Sequence, residues 1–349
     1  TAHGNVWLEA QAGSTQGAFT IAGSGPSGDQ KTDGKTGGDG KSTNSADKGK
    51  QGSSGVGISA SVSINLIDDT TVAGVSGLTS VSTLGASAST VAIDTDADGT
   101  SDSSVSLTQG LSAKARNDAL ALAGAGSLTV GSGKSAGLAG AFTWNQLEKI
   151  TRATIAGTKV TVGGSGGVLL DARNTGPMWS VSAGAASGQK VGVAGSVAYS
   201  NIDNVTEAVI DTAVVDAGGT VSLVAKDDSD IRSVAGAASY GGKAGIGAGV
   251  AISTVDSDTL AEFRGSGQTV HGGGGVSASA ISDNDIVSVA AAIGASQGVT
   301  ATGSVTVNII TNQTRASSSG VVLTSSDAIN LDADDVSSIL SIAGSVALS

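Results

Sequence analysis

Three stretches decide the fold: VGVAGSVAYSNIDNVTEAVI (residues 191–210), AGIGAGVAISTVDSDTLAEF (244–263) and VTATGSVTVNIITNQTRASS (299–318). They align without gaps, and two earlier blocks join them. The five starts, Val56, Ala136, Val191, Ala244 and Val299, lie 80, 55, 53 and 55 residues apart. Val62, Phe142, Val197, Val250 and Val305 are equivalent, as are Ile64, Trp144, Tyr199, Ile252 and Val307. These two columns are two residues apart, the period of a strand with one buried face. A helix would need apolar residues three and four apart. Ile67, Leu147, Ile202, Val255 and Ile310 form a third column, and Thr71, Thr151, Thr206, Thr259 and Thr314 a fourth, just past a polar turn expected at Ile202-Asp203-Asn204.

The second half of each unit is looser. Thr220 to Ala225 (TVSLVA) parallels Ala328 to Ala333 (AINLDA), and both run into Asp-rich segments read as turns. A small-residue strand follows, as at Val234-Ala235-Gly236-Ala237-Ala238. The array divides into a partial repeat at 1–55, an extended repeat at 56–135 and repeats at 136–190, 191–243 and 244–298. A partial repeat at 299–349 completes it. The chain thus reads as an excerpt of a longer array. Two departures break the period. Residues 24–55 are low in complexity, with five lysines, four aspartates and no large apolar residue, so they read as an insertion extruded from a turn. The extended repeat is about 26 residues longer than the others and contains Asp94 to Ser104.

Composition narrows the architecture. Among 349 residues there are 54 Gly, 2 Pro, no Cys and only 8 aromatics, so any core must be thin. Thin cores suit stacked β-structures in which each layer buries its apolar face on the next. The expected fold is all-β, a β-solenoid (parallel β-helix) built from repeats of about 54 residues; an array of small antiparallel β units is the alternative. Such a period fits two coils of about 27 residues or three of about 18, hence roughly 10–15 Å of rod per repeat. Gly241-Gly242-Lys243 fits a turn of either architecture.

The net charge of −12 disfavours nucleic acid, which needs a basic patch. Ala119 to Trp144 carries too many glycines, and Lys134, for a membrane span. The sharpest local motif is DTDADGTSD (94–102). Asp94, Asp96, Asp98 and Asp102 offer side-chain oxygens and Thr100 its carbonyl to one Ca2+, although Val105 stands where an EF-hand places its bidentate glutamate. The competing reading is a solvated acidic turn. Asp227-Asp228-Ser229-Asp230 and Asp332-Ala333-Asp334-Asp335 lack the glycine and read as polar turns. Gly131-Ser132-Gly133-Lys134-Ser135 lacks the leading glycine of a phosphate loop and matches a recurring Gly-Lys turn. With only His3 and His271, the latter read as a turn residue, no histidine-based triad or metal site is expected. Trp144 and Tyr199 are candidate sugar platforms, but their apolar column favours core positions. No enzyme is expected. Ice binding would need regular Thr-x-Thr arrays, and the threonine-bearing segments Thr158 to Thr161 and Thr300 to Thr306 do not recur in register, which argues against it.

The pattern VGVAGSVAYSNIDNVTEAVID (191–211) followed by AGGTVSLVAKDDSDIRSVAGAAS (217–239) resembles the repeats of very large filamentous adhesins and haemagglutinin-like exoproteins of Gram-negative bacteria, the leukotoxin-like filamentous adhesins included. The resemblance covers most of Val56 to Ser349. It implies export to the cell surface, β-helical rods, and roles in attachment, aggregation or biofilm. Expected partners are copies of the chain, neighbouring repeats and a host or matrix ligand. A sheath filament that binds only itself is the next reading, and a polysaccharide-active β-helix enzyme a remote third.

Overall fold

The computed structural model describes residues 2, 4–25, 56–77, 80–83, 89–93, 103–107, 110–131 and 136–349. The described chain is strand connected by turns, without helix. Five long strands, β2 (Gly57–Ser76), β7 (Ala136–Ala156), β10 (Val191–Asp211), β13 (Ala244–Arg264) and β16 (Val299–Ser319), form the front sheet. Six more, β1 (Val6–Ser24), β6 (Gly110–Val130), β9 (Gly167–Gly188), β12 (Val221–Gly241), β15 (Val276–Ser296) and β18 (Ile329–Leu348), form the back sheet. Between them runs an edge sheet of short strands, β3 (Val81–Thr83), β8 (Lys159–Val162), β11 (Val214–Ala217), β14 (Thr269–Gly272) and β17 (Val322–Ser325).

Every pairing within these three sheets is parallel, with each strand bonded to its counterpart in the next repeat. This is a β-solenoid, and among the described residues antiparallel pairing is confined to the hairpin β4 (Ser89–Ile93) and β5 (Ser103–Leu107). The register reproduces the sequence alignment: Val191 pairs with Ala136 and Ala244, and Ala244 with Val299. One repeat is one coil. Each repeat contributes one strand to each sheet, so it advances the stack by about 4.8 Å, the inter-strand spacing. The expectation of two or three coils per repeat is thereby corrected. Strands of 21 residues make each coil broad, about 70 Å at 3.3 Å per residue. The described array is therefore a flat blade.

Parity along the long strands differs from expectation. On β10 the inward positions are Ala194, Ser196, Ala198, Ser200, Ile202, Asn204, Thr206, Ala208 and Ile210, all buried. The Val62–Val305 and Ile64–Val307 columns, expected in the core, face outward; Val62, Ile64, Trp144 and Val305 are exposed. Ile67, Leu147, Ile202 and Val255, three residues further on, are the inward set. Lumen width explains the inversion. Beside the edge sheet the coil is widest, and Leu111, Ile155, Leu170, Ile210, Leu223 and Phe263 fill it with Val160, Val215 and Val270. Toward the opposite edge the two long sheets converge, and the inward positions become mostly alanine, serine and glycine: Ala198 packs with Ala235, Ala251 and Ala290. A Cβ on Gly192 would lie 2.1 Å from the Tyr240 carbonyl oxygen. The large aliphatics of these segments therefore point outward.

Turns close the coil at both edges. At the narrow edge, two residues join β9 to β10 and β12 to β13. Gly241-Gly242-Lys243 thus crosses from back to front sheet and makes no antiparallel pair. Of the low-complexity insertion read as residues 24–55, Ser24 ends β1, and residues 26–55, which lie between β1 and β2 in the chain, are outside the described residues. At four of the five exits from the front sheet the chain adopts a left-handed residue, glycine at Gly77, Gly157 and Gly320 and the non-glycine Thr212 at φ 51°. The extra length of the first repeat contains the hairpin β4–β5, inserted between the edge sheet and β6.

Candidate functional site

The narrow half of the lumen needs small side chains and the wide half large ones, and between them lies a layer of buried polar groups. On the front sheet it comprises Lys149, Asn204 and Ser257, with Thr151, Thr206 and Thr259 one inward position away. Facing them on the back sheet are Asn117, Asn174, Asp227 and Ser282. The Asn204 side-chain amide donates to Asp227 Oδ1 at 2.8 Å and to the Ser229 hydroxyl at 2.7 Å. Ser257 donates to Asp227 Oδ2 at 2.7 Å. Asn174 donates to the Thr206 hydroxyl at 2.6 Å and accepts from Thr151. The ladder continues upward, where Asn284 donates to Asn312 Oδ1 and Asn312 to Asp335.

Lys149 and Asp227 are the two fully buried charged groups of this layer. Burial pushes the Lys149 amine below its usual value, against the pull of Asp227, Asp118 and Asp69. Burial likewise raises Asp227, opposed by Lys149 and by its hydrogen bonds from Ser257, Asn204 and Ser229. Both shifts favour the neutral form, as expected where desolvation outweighs partner charges. Lys149 Nζ donates to the Thr175 carbonyl at 3.0 Å. That carbonyl adjoins Gly176-Pro177, opposite which the β6–β9 ladder lapses; proline has no N–H to give an inner strand.

Sequence reasoning placed Asp227-Asp228-Ser229-Asp230 and Asp332-Ala333-Asp334-Asp335 in turns, and Ile202-Asp203-Asn204 likewise. All three lie within strands, β12, β18 and β10. Asp227, Ser229 and Asn204 enter the interior polar layer and Ile202 the apolar cluster beside it, Asp203, Asp228 and Asp230 point outward, and residues 332–335 are exposed on the last strand. Lys149 was not singled out from sequence. Its signal was parity: it lies two residues from Leu147 and so shares that residue's inward face.

The outer faces carry the opposite pattern. In the narrow half the front sheet shows ridges of Val, Ile and aromatic residues flanking a column of Ala60, Gly140, Gly195 and Ala248, a groove of about 380 Å³. Phe142 meets Trp144 edge-on at 6.4 Å between ring centroids, and Trp144 meets Tyr199 at 5.2 Å with planes 59° apart. The two sugar-platform candidates therefore lie outside the core and tilt against each other. The back sheet has a similar groove of about 450 Å³, lined by Gly126, Ala183 and Gly236 among others. In the wide half both outer faces are charged. Glu148, Asp203 and Asp256 stack on successive strands, and burial together with Asp256 raises the Asp203 carboxyl. Arg152 pairs with Glu207 at 2.6 Å and Arg264 with Asp211 at 2.9 Å. Hydrogen bonds from Thr212 and Arg264 hold Asp211 below the usual carboxylate range.

The calcium candidates Asp94, Asp96, Asp98, Thr100 and Asp102 lie outside the described residues, in the segment joining β4 to β5. Among the described residues no group of three or more acidic or histidine side chains is arranged to hold a metal. His271, expected in a turn, is in β14, 3.1 Å from the Thr324 hydroxyl; His3 lies outside the described residues. Residues 132–135 of the Gly-Lys turn also lie outside them, whereas Lys190 and Lys243 lie in the equivalent back-to-front crossings. No helix among the described residues is long and apolar enough to cross a membrane. Comparison with protein-family models, curated proteins and solved structures found no match for this chain.

Proposed function

We propose that this chain is a segment of a bacterial cell-surface adhesin, acting in attachment, aggregation or biofilm as a stiff spacer and self-associating element. The observation that carries the proposal is a solenoid held in one register by long parallel strands, with an apolar band on each outer face. Parallel ladders that run unbroken from coil to coil resist bending, which suits reach. Exposed apolar bands suit association. The resemblance to filamentous adhesin repeats supports an extracellular location and a non-catalytic role. Ca2+ bound by Asp94, Asp96, Asp98, Thr100 and Asp102 would stiffen the β4–β5 hairpin.

The test is attachment. Beads coated with the chain should clump with one another and adhere to abiotic or host-matrix surfaces above the level of beads coated with an unrelated acidic protein. Clumping without adhesion would favour a sheath filament that binds only itself. Absence of both clumping and adhesion would overturn the proposal.

A further inference from the structure

We infer that the apolar outer face of the front sheet docks a second copy of this chain, ridge into groove; this deepens the proposed self-association and rests on it. The face spans all five front strands. Its outward apolar positions run from the narrow edge to Leu66 on β2, Trp144 on β7, Tyr199 on β10, Ile252 on β13 and Ile309 on β16. Five or six such positions at two residues each cover about 30 Å, and five strands about 24 Å, giving roughly 700 Å². An ordinary monomer's largest apolar patch is about 300–600 Å², and a standard interface uses about 800 Å² per partner.

Shape selects the partner. The groove follows the stacking axis along Ala60, Gly140, Gly195 and Ala248, with ridges one outward position away on either side. The ridges repeat at every rung, about 4.8 Å apart, so a surface with the same periodicity registers with them along the whole face. A second front sheet has it. A twofold axis parallel to the stack places one ridge of each copy in the groove of the other, so the contact is self-complementary. The same rotation reverses strand direction between copies. Each copy's Glu148, Asp203 and Asp256 column then lies away from the partner's, and the acidic halves do not face each other. The aromatic trio Phe142, Trp144 and Tyr199 sits on this face, the residue types enriched in interfaces. On the back sheet the corresponding band is bordered by Arg232, whose guanidinium lies 5.4 Å from the Trp179 ring centroid.

The experiment is sedimentation velocity of the full chain from micromolar to about 100 μM, alongside Gly195→Lys and Gly140→Lys/Gly195→Lys. A Cβ at either glycine meets nothing within 4 Å, so the fold accepts the change. Gly236→Lys on the back sheet, equally open, is the matched control. The inference predicts concentration-dependent dimers for the wild type and for Gly236→Lys, and at least tenfold weaker association for the front-sheet variants with unchanged circular dichroism. Association abolished by Gly236→Lys and untouched by the front-sheet variants would overturn the inference and leave the self-associating reading standing. A wild type that stays monomeric throughout would overturn the inference, and self-association with it. If that monomer floats with neutral phosphatidylcholine vesicles, the face belongs to lipid and the inference again fails.

Discussion

Asn204 donates its side-chain N–H to Asp227 Oδ1 at 2.8 Å across the lumen, and both residues are buried within the polar layer. Asn204 also occupies the position beside Lys149 on the neighbouring strand. The two buried charges thus lie in one hydrogen-bonded layer, each shifted by burial toward its neutral form.

The pH dependence of stability follows from Asp227. Its folded pKa is raised, so the folded chain holds this proton more tightly than the unfolded chain does. Its contribution is full below the ordinary aspartate range and is lost as pH rises through the raised value. Asp227→Asn, which imitates the protonated side chain, should flatten that loss. Urea unfolding at a series of pH values from about 3 upward should show the variant gaining on the wild type as pH rises from the ordinary aspartate range. A difference that stays constant across the series would refute the assignment. Asp227→Ala should cost about 3 kcal/mol, because it leaves the buried donors of Asn204 and Ser257 without their acceptor.

The taper of the lumen predicts opposite outcomes at two glycines three residues apart. Gly192 faces inward against the Tyr240 carbonyl, and Gly195 faces open space. Gly192→Val should destabilise by about 3 kcal/mol or more through overpacking, whereas Gly195→Val should change stability by no more than about 0.5 kcal/mol. Thermal unfolding of the two variants decides it.

Ile202→Ala should cost about 3 kcal/mol, because Ile202 is fully buried in the middle apolar cluster. Tyr199→Ser, on the outer face, should leave chemical unfolding little changed. Equal losses at the two positions would restore the inward orientation expected from sequence.

Much of the fold was legible and the facing was not. The five aligned blocks became five hydrogen-bonded strands in the register read from sequence, because identical spacing in every coil is what an unbroken parallel ladder requires. Facing failed because Val197 and Tyr199 outside are larger than Ala198 and Ser200 inside. Hydrophobic size marks the core only where the core is wide, as at Ile210. The Asp-rich segments failed as turns for a related reason: Asp227 satisfies its oxygens within the lumen, so the strand continues through it. The coil number was hidden because strands of 21 residues are several times the usual length of about five or six.

Titration of the wild type with Ca2+ addresses residues 94–102. Binding with measurable heat, abolished in Asp96→Ala/Asp98→Ala, is the expected result. No heat, together with no rise in melting temperature, would assign the motif to a solvated acidic connection.

The central claim is one coil per repeat. Asp68 and Thr311 occupy one outward column, linked through Glu148, Asp203 and Asp256. The chain has no cysteine, so Asp68→Cys/Thr311→Cys accepts two spin labels cleanly. Four inter-strand steps place these positions about 19 Å apart. Pulsed electron spin resonance should give a single distance distribution centred near that value. A centre near about 38 Å, the result of two coils per repeat, would contradict the account.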